Sequence, residues 1–405
     1  MYYNYRQGLA PIRRSLSPRP DANLKVPEGF APTEPMATTY ALGGIGAGGH
    51  WYGRLHPFLK DRVRLQKAVG ITRYEEKRDI LDSYGLTKDR YFQVVVGGSL
   101  PGAFFEGIDV VHVASHNQFH QQQTTECLGH GVCAIVEKTL AVTEAATEDI
   151  LRFIRSNGHE GHVTPHVHYL EKALTLEWKR KLWPMALERA GRLTRAVGTF
   201  IEDVSEEDIR RQWLFRPENG GIFMDWIHPS AMLANVAGAH FAECEEATGY
   251  VVNAAYDPAN PTGIEARFRL RGEHLAPGCT ATIRVGKGFP PGVRFKRLRL
   301  EFERGATIEL SFLDTEKEIE TGQKGTWVFE HDGAVERGRA TGPSSYELLV
   351  DEMLMMLEGR GAPLSLHEIQ EIYRPVWLCL AAVQPPVREP DAVGSFMKRA
   401  LALSA

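Results

Sequence analysis

The stretch TYALGGIGAGG, residues 39–49, is an apolar run that ends in a cluster of glycines, and HWYGRLHPFL, residues 50–59, reads as a helix after it. Gly44, Gly46 and Gly49 fit the spacing G-x-G-x-x-G. A second register starts at Gly46 and Gly48 but meets Trp51 where its third glycine belongs. In either register the missing Cβ atoms let backbone amides approach a pyrophosphate, at the end of a helix whose dipole favours negative charge. A strand before the turn and a helix after it make a dinucleotide the expected ligand of Gly44, Gly46, Gly48 and Gly49. The plainer reading is a glycine-rich turn that binds nothing.

Outward from this turn, apolar strands alternate with helix-period segments. LQKAVGI (65–71), IDVVHVAS (108–115) and VCAIVEK (132–138) read as strands; YEEKRDILDSYG (74–85), HQQQTTECLGHG (120–131) and TEAATEDILRFIRSN (143–157) read as helices. That alternation predicts a parallel sheet covered by helices, a Rossmann-type nucleotide-binding domain over residues 38–160. After a helix at 176–191 the pattern changes. TRAVGTFIED (194–203), GIEARFRLRG (263–272), CTATIRVGKG (279–288), VRFKRLRLEFER (293–304) and ATIELSFLD (306–314) are strands separated by Gly and Pro turns. They predict an α+β domain over 161–405 built on a large, mostly antiparallel open sheet. The basic residues of 293–304 are expected on its solvated face. Helices at 345–359 and 366–383 close the chain, their Leu/Met stripe serving as core.

Composition narrows the function. The 405 residues carry 47 Lys+Arg against 51 Asp+Glu, a formal charge of −4, which argues against a dedicated nucleic-acid binder. No segment approaches the ~18 apolar residues of a membrane span, and the N-terminus lacks the apolar core of a secretory signal. Arg13-Arg14 has no apolar stretch after it, as a twin-arginine signal requires. A cytoplasmic protein is the expectation. The five cysteines are scattered and form no CxxC pair, so reduced thiols are expected. Residues 1–37, with six prolines and no apolar periodicity, read as an irregular arm.

The second strand ends in Ile71-Thr72-Arg73, where NAD enzymes place an acid that accepts hydrogen bonds from the adenosine ribose. A hydroxyl and a guanidinium instead accommodate a 2′-phosphate, so NADP is favoured over NAD. At the next strand ends stand Ser115, His116, Asn117 and His120, then Glu137, Lys138 and Thr139. In an open α/β sheet these loops face one crevice.

Here the sequence resembles the glucose-fructose oxidoreductase and inositol dehydrogenase family (Gfo/Idh/MocA), over roughly residues 38–380. The family's T-P-N-x-x-H loop matches Ser115, His116, Asn117 and His120, and its E-K-P strand end matches Glu137, Lys138 and Thr139. Its glycine pair followed by Asp and His matches Gly220, Gly221, Asp225 and His228. His116 and Thr139 replace prolines, the ribose acid is absent, and Asp225 precedes His228 by three residues where four is usual; both offsets leave two side chains on one helix face. The resemblance implies cofactor contacts from Ser115, Asn117, His120 and Glu137, and catalysis by Lys138 with His228 and Asp225. A shorter likeness, His168-Tyr169-Leu170-Glu171-Lys172 to the H-Y-L-x-K stretch of glucose-6-phosphate dehydrogenases, implies substrate contacts from His168, Tyr169 and Lys172.

Oxidation of a secondary alcohol needs hydride transfer to the nicotinamide while a base within hydrogen-bond reach takes the hydroxyl proton. Lys138 is the expected base. His228 shares the proton or binds a neighbouring hydroxyl, and Asp225 binds substrate or orients the imidazole. The chain is thus expected to be an NAD(P)-dependent oxidoreductase acting on a sugar, sugar phosphate or nucleotide, or cyclitol, as a homodimer or homotetramer. The alternatives are a non-catalytic NAD(P)-binding sensor and an NAD-dependent glycoside hydrolase of the same fold. His159, His162, His166 and His168 match no established ligand pattern, so no metal is expected.

Overall fold

The computed structural model describes residues 39–46, 55–59, 62–206, 209 and 212–402. The arm at 1–37 lies outside these residues. Of the helix expected at 50–59, residues 55–59 are described and hold a single 3-10 turn, His56–Phe58.

Strands β1 (Tyr40–Ile45), β2 (Val63–Gly70), β3 (Tyr91–Gln93), β4 (Val110–Val113), β5 (Cys133–Glu137) and β6 (Val163–His166) form a parallel sheet in the order β3-β2-β1-β4-β5-β6. This is the doubly wound order, in which direction of travel reverses between β1 and β4 and opens a crevice at the strands' C-terminal ends. Strands β4, β5 and β6 are buried on both faces. Val111, Val113, Ala134 and Val136 pack under the helices His120–Gly129 and Glu144–Asn157, through Cys127, Leu128, Ile150 and Ile154. Thr143 caps the second of these by accepting from the Ala146 amide, and Gly158, in the left-handed region at φ 69°, ends it.

The opposite face holds Leu42, Ala68, Val110, Cys133 and Ile135. It is covered by the late helix Ser345–Leu357, whose Leu349, Val350, Met353 and Met356 are buried. The Leu/Met stripe is therefore core, and the chain returns near its end to complete the first sheet.

The second sheet contains β7 (Leu193–Asp203), β8 (His240–Tyr250), β9 (Gly263–Arg271), β10 (Leu275–Phe289), β11 (Phe295–Phe302), β12 (Thr307–Phe312), β13 (Thr326–His331), β14 (Ala334–Arg339) and β15 (Gln384–Val387). Its order is β14-β13-β12-β11-β7-β10-β9-β8-β15. All neighbours are antiparallel except β7 with β10 and β8 with β15. The fold is thus an α/β Rossmann-like domain joined to an α+β domain on a large, mostly antiparallel sheet. Helices Phe223–Ala237 and Leu366–Ala382 pack on each other beside this sheet. A further helix, Pro390–Leu401, stacks Phe396 on Tyr250 at 4.4 Å between ring centroids. Sequence patterning does not separate this last helix or β8 from loop, because β8 alternates Glu with small residues where an aliphatic run is the usual mark.

Candidate active site

The glycine turn begins where the strand order reverses. Gly46 has φ 78°, and a Cβ there would stand 2.6 Å from the Ala114 carbonyl oxygen. Its amide donates to Val69 O at 2.9 Å, and the Ala114 amide donates to Ile45 O at 3.0 Å. The ends of β1 and β4 are therefore drawn together over a residue that only glycine fits without strain. Gly44 lies within β1, paired with Ala68 and His112; Gly48 and Gly49 lie outside the described residues. Beyond β2, Thr72 is half-buried and its carbonyl accepts from the Tyr91 hydroxyl at 2.8 Å. Arg73 precedes the helix Tyr74–Ser83, its side chain 69% exposed and ion-paired to Glu76 at 2.7 Å. A pair this open is broken at little cost, so the guanidinium is available at the strand end.

The loop after β4 is fastened on three sides. The Ser115 hydroxyl donates to Gln123. Asn117 Nδ2 donates at 2.9 Å to the carbonyl of Asn219, just ahead of the helix that carries His228. Buried His120 lies between two backbone carbonyls, Nδ1 at 2.6 Å from Thr139 O and Nε2 at 3.1 Å from Ser115 O. Burial pushes its pKa down, and a neutral ring has one N–H to give; the shorter contact to Thr139 takes it. His120 thus joins the loops that follow β4 and β5.

Lys138 follows β5, with a cis peptide to Thr139. Its ammonium lies close enough to His168 and His228 to help depress both. His168 follows β6, and His228 lies on Phe223–Ala237; their ring centroids are 4.5 Å apart, and the Tyr169 ring is 4.4 Å from His228. Burial first, then surrounding positive charge, holds both imidazoles well below their usual pKa. Both are therefore neutral at pH 7. Nδ1 of His228 is buried without a hydrogen-bond partner among the described residues. Asp225 stands one turn earlier on the same helix, but its side chain lies outside the described residues. Tyr169 is buried under Phe200 and Phe312. Lys172 is fully enclosed, 3.0 Å from Glu318 Oε1 and 2.9 Å from Leu313 O, and burial pulls its pKa down to about 8 against the carboxylate's support.

His228 forms one wall of a small cleft on the second sheet, partly open to solvent. The other walls are Phe200, Glu202, Val285, Gly286, Lys287 and Lys296. Glu202 is 3.0 Å from Lys287 and 2.7 Å from Lys296, and Lys296 also reaches Asp314 at 2.6 Å. Burial disfavours the charge on Lys296, but Glu202 and Asp314 hold its pKa well above the ordinary value.

The sequence reading assigned Lys296 to the solvated face with its basic neighbours, and the structure corrects this. Strand alternation sets Lys296 on the face of buried Leu298 and Leu300, while Arg297 and Arg299 share the opposite face. Glu202 was not singled out at all. The available signal was parity: counting back by twos from Leu298 reaches Lys296.

Glu137 turns into the first sheet. Its Oε1 lies 3.2 Å from His112 Nε2 and 3.0 Å from His166 Nδ1, and Glu171 stands 3.2 Å from His166 Nε2. Burial opposes both charges, yet the two imidazoles hold Glu137 well below the usual carboxylate range, while Glu171 and Glu137 hold His166 well above that of histidine. Of the four histidines weighed together in the sequence, only His166 belongs to this group; His159 and His162 face each other elsewhere, at 5.9 Å.

No protein-family model and no curated protein sequence matches the chain. Solved structures do resemble it. KijD10, a 3-ketoreductase from Actinomadura kijaniata in complex with NADP and TDP-benzene, superposes with TM-score 0.68 at 14% identity, over 87% of this chain and 100% of its own. Aldose-aldose oxidoreductase from Caulobacter crescentus, complexed with glycerol, gives TM-score 0.67 at 14% identity over 85% and 97%. UDP-N-acetylglucosamine 3-dehydrogenase GnnA from Acidithiobacillus ferrooxidans gives 0.62 at 13% over 85% and 98%. The chain therefore shares the two-domain fold of sugar oxidoreductases over nearly the whole length of each.

Proposed function

We propose that the protein is an NAD(P)-dependent oxidoreductase that transfers a hydride between the nicotinamide and a secondary alcohol or ketone of a sugar, sugar phosphate or nucleotide, or cyclitol. The observation that carries this reading is the meeting of Lys138, His168 and His228 beside a small cleft to which Glu202, Lys287 and Lys296 contribute, at the C-terminal end of a doubly wound sheet. A bound nicotinamide supplies the hydride chemistry. The residues fit such a cofactor: Gly46, at φ 78°, turns the chain tightly at the switch point between β1 and β4, and the loops bearing Ser115, Asn117 and His120 stand at the same crevice. Thr72 and Arg73 stand at the end of β2, where an adenosine 2′-phosphate finds a guanidinium, and this favours NADP.

Within this reading, Lys138 holds or takes the proton of the reacting oxygen, and the neutral His228 accepts a hydrogen bond from a substrate hydroxyl at its unsatisfied Nδ1. Glu202, Lys287 and Lys296 recognise further hydroxyls, since a carboxylate and ammoniums together offer acceptors and donors to a polyol. Phe200 and Val285 exclude water from one side. Residues 38–160 serve the cofactor and 161–405 the substrate, and we expect a cytoplasmic homodimer or homotetramer formed through the open face of the second sheet.

Purified protein with NADP and a panel of sugars, nucleotide sugars and cyclitols is expected to produce the absorbance of reduced cofactor. Cofactor binding without turnover across the panel would favour a sensor, and glycoside cleavage without net reduction a hydrolase.

A further inference from the structure

Three side chains from adjacent strands converge on one face of the parallel sheet. His112 comes from β4, Glu137 from β5 and His166 from β6, and the strand register sets Glu137 directly opposite His166. Residues two apart on a strand share a face, so His112 lies with Val110, and Glu137 with Cys133 and Ile135, beneath the helix Ser345–Leu357. Tyr346 of that helix packs against His166 at 5.4 Å between ring centroids. One nitrogen of each imidazole lies 3.0–3.2 Å from the same Glu137 oxygen, and one ligand atom from each of the three residues lies within 4.8 Å of the other two. A tetrahedral Zn²⁺ with bonds of about 2.0–2.1 Å spaces its ligand atoms about 3.3 Å apart. Two of the three separations are already near that value.

The surroundings match a metal centre. The His112 and His166 side chains are 0% exposed and that of Glu137 18%, so the group is shielded but reachable from one edge. Glu171 faces the nitrogen of His166 that points away from Glu137, and a carboxylate at that position fixes the tautomer and orientation of a ligating imidazole. Glu352 of the covering helix stands close to Glu171 in turn. Two imidazoles and one carboxylate suit a borderline divalent cation, whereas Ca²⁺ and Mg²⁺ prefer oxygen alone.

We propose that His112, Glu137 and His166 form a Zn²⁺-class cation site, with Glu171 as the positioning residue for His166. Water completes the coordination at the exposed edge of Glu137. The cation cross-links three strand ends whose loops carry Ser115, Lys138 and His168. The proposal does not rest on the redox reading, because its test reads metal and not turnover.

The full chain, stripped with a chelator and dialysed against Zn²⁺, is expected to retain one equivalent. Co²⁺ in its place should show the visible absorption of a four- or five-coordinate centre. His112→Asn and His166→Asn should each abolish retention, and His159→Ala, outside the cluster, should keep the full equivalent. Glu171→Gln leaves all three ligands in place and should weaken Zn²⁺ binding about 10–100-fold; it carries the test alone if the histidine variants unfold. No retained Zn²⁺ in the folded wild type, or undiminished affinity in folded Glu171→Gln, overturns the proposal and leaves the three side chains joined by protons only.

Discussion

The imidazoles of His168 and His228 stand 4.5 Å apart between ring centroids, one carried by the loop after β6 and the other by the helix Phe223–Ala237. Two positive rings at that distance would repel each other, and buried surroundings with Lys138 and Lys172 nearby already disfavour charge on either. The site is therefore a pair of neutral imidazoles beside an ammonium, which can accept as well as give protons.

The neutral state of His228 has a consequence for folding. Its folded pKa lies below the unfolded value near 6.5, so the unfolded chain binds a proton that the folded chain does not. The stability due to the neutral ring is complete above about pH 6.5 and falls as pH drops toward the folded pKa, by up to about 1.4 kcal/mol per pH unit. Urea unfolding between pH 7 and 5 should show this slope, and His228→Asn should make it shallower, the part due to His168 remaining. An unchanged slope would mean that His228 is charged in the folded protein.

Lys138→Met is expected to lower turnover about 10²–10⁴-fold, the usual worth of a positioned proton donor or acceptor, with cofactor affinity retained. It removes one of the charges that depress His228, so the pKa of that imidazole, followed by NMR, should rise. Undiminished turnover would remove Lys138 from the mechanism.

Lys296→Met removes the cation that Glu202 and Asp314 share, three side chains only 12–18% exposed, and leaves Lys287 at 3.0 Å from Glu202 and Arg294 at 2.8 Å from Asp314. Breaking a buried pair from one side costs about 3–5 kcal/mol; with Lys287 and Arg294 still in place, chemical denaturation should show a loss at or below the lower end of that range. A surface lysine would show almost none.

Much of the fold was legible because it rests on local chemistry. The glycine turn, the alternating strands and helices of 38–160, and the Pro- and Gly-punctuated strands after 190 all announce themselves within short windows. What eluded the sequence depends on distant segments meeting. The return of Ser345–Leu357 to cover the first sheet is invisible in its own amphipathic pattern, and Lys296 shares one basic run with Arg297 and Arg299 although the pleat sends it the other way. The candidate site divides similarly. Lys138 and His228 could be picked by type and context, whereas Glu137 meets His112 and His166 only because three separate strands are laid side by side.

Gly46→Ala should harm the turn on two counts: a left-handed backbone costs a non-glycine residue about 1–2 kcal/mol, and the new methyl meets the Ala114 carbonyl. Thermal melting should show the lost stability, and titration with NADP a weaker affinity. A variant as stable and as tightly bound as the wild type would show that β1 and β4 do not close on each other at this point.

The central claim is that Lys138 and His228 face a bound nicotinamide, and a crystal structure of the protein grown with NADP and no added sugar tests it most directly. The account predicts the pyrophosphate at the glycine turn, the nicotinamide beside Lys138, and an open space between that ring and the wall formed by His228, Glu202 and Lys296. A dinucleotide bound elsewhere, or a nicotinamide turned away from Lys138, would contradict it.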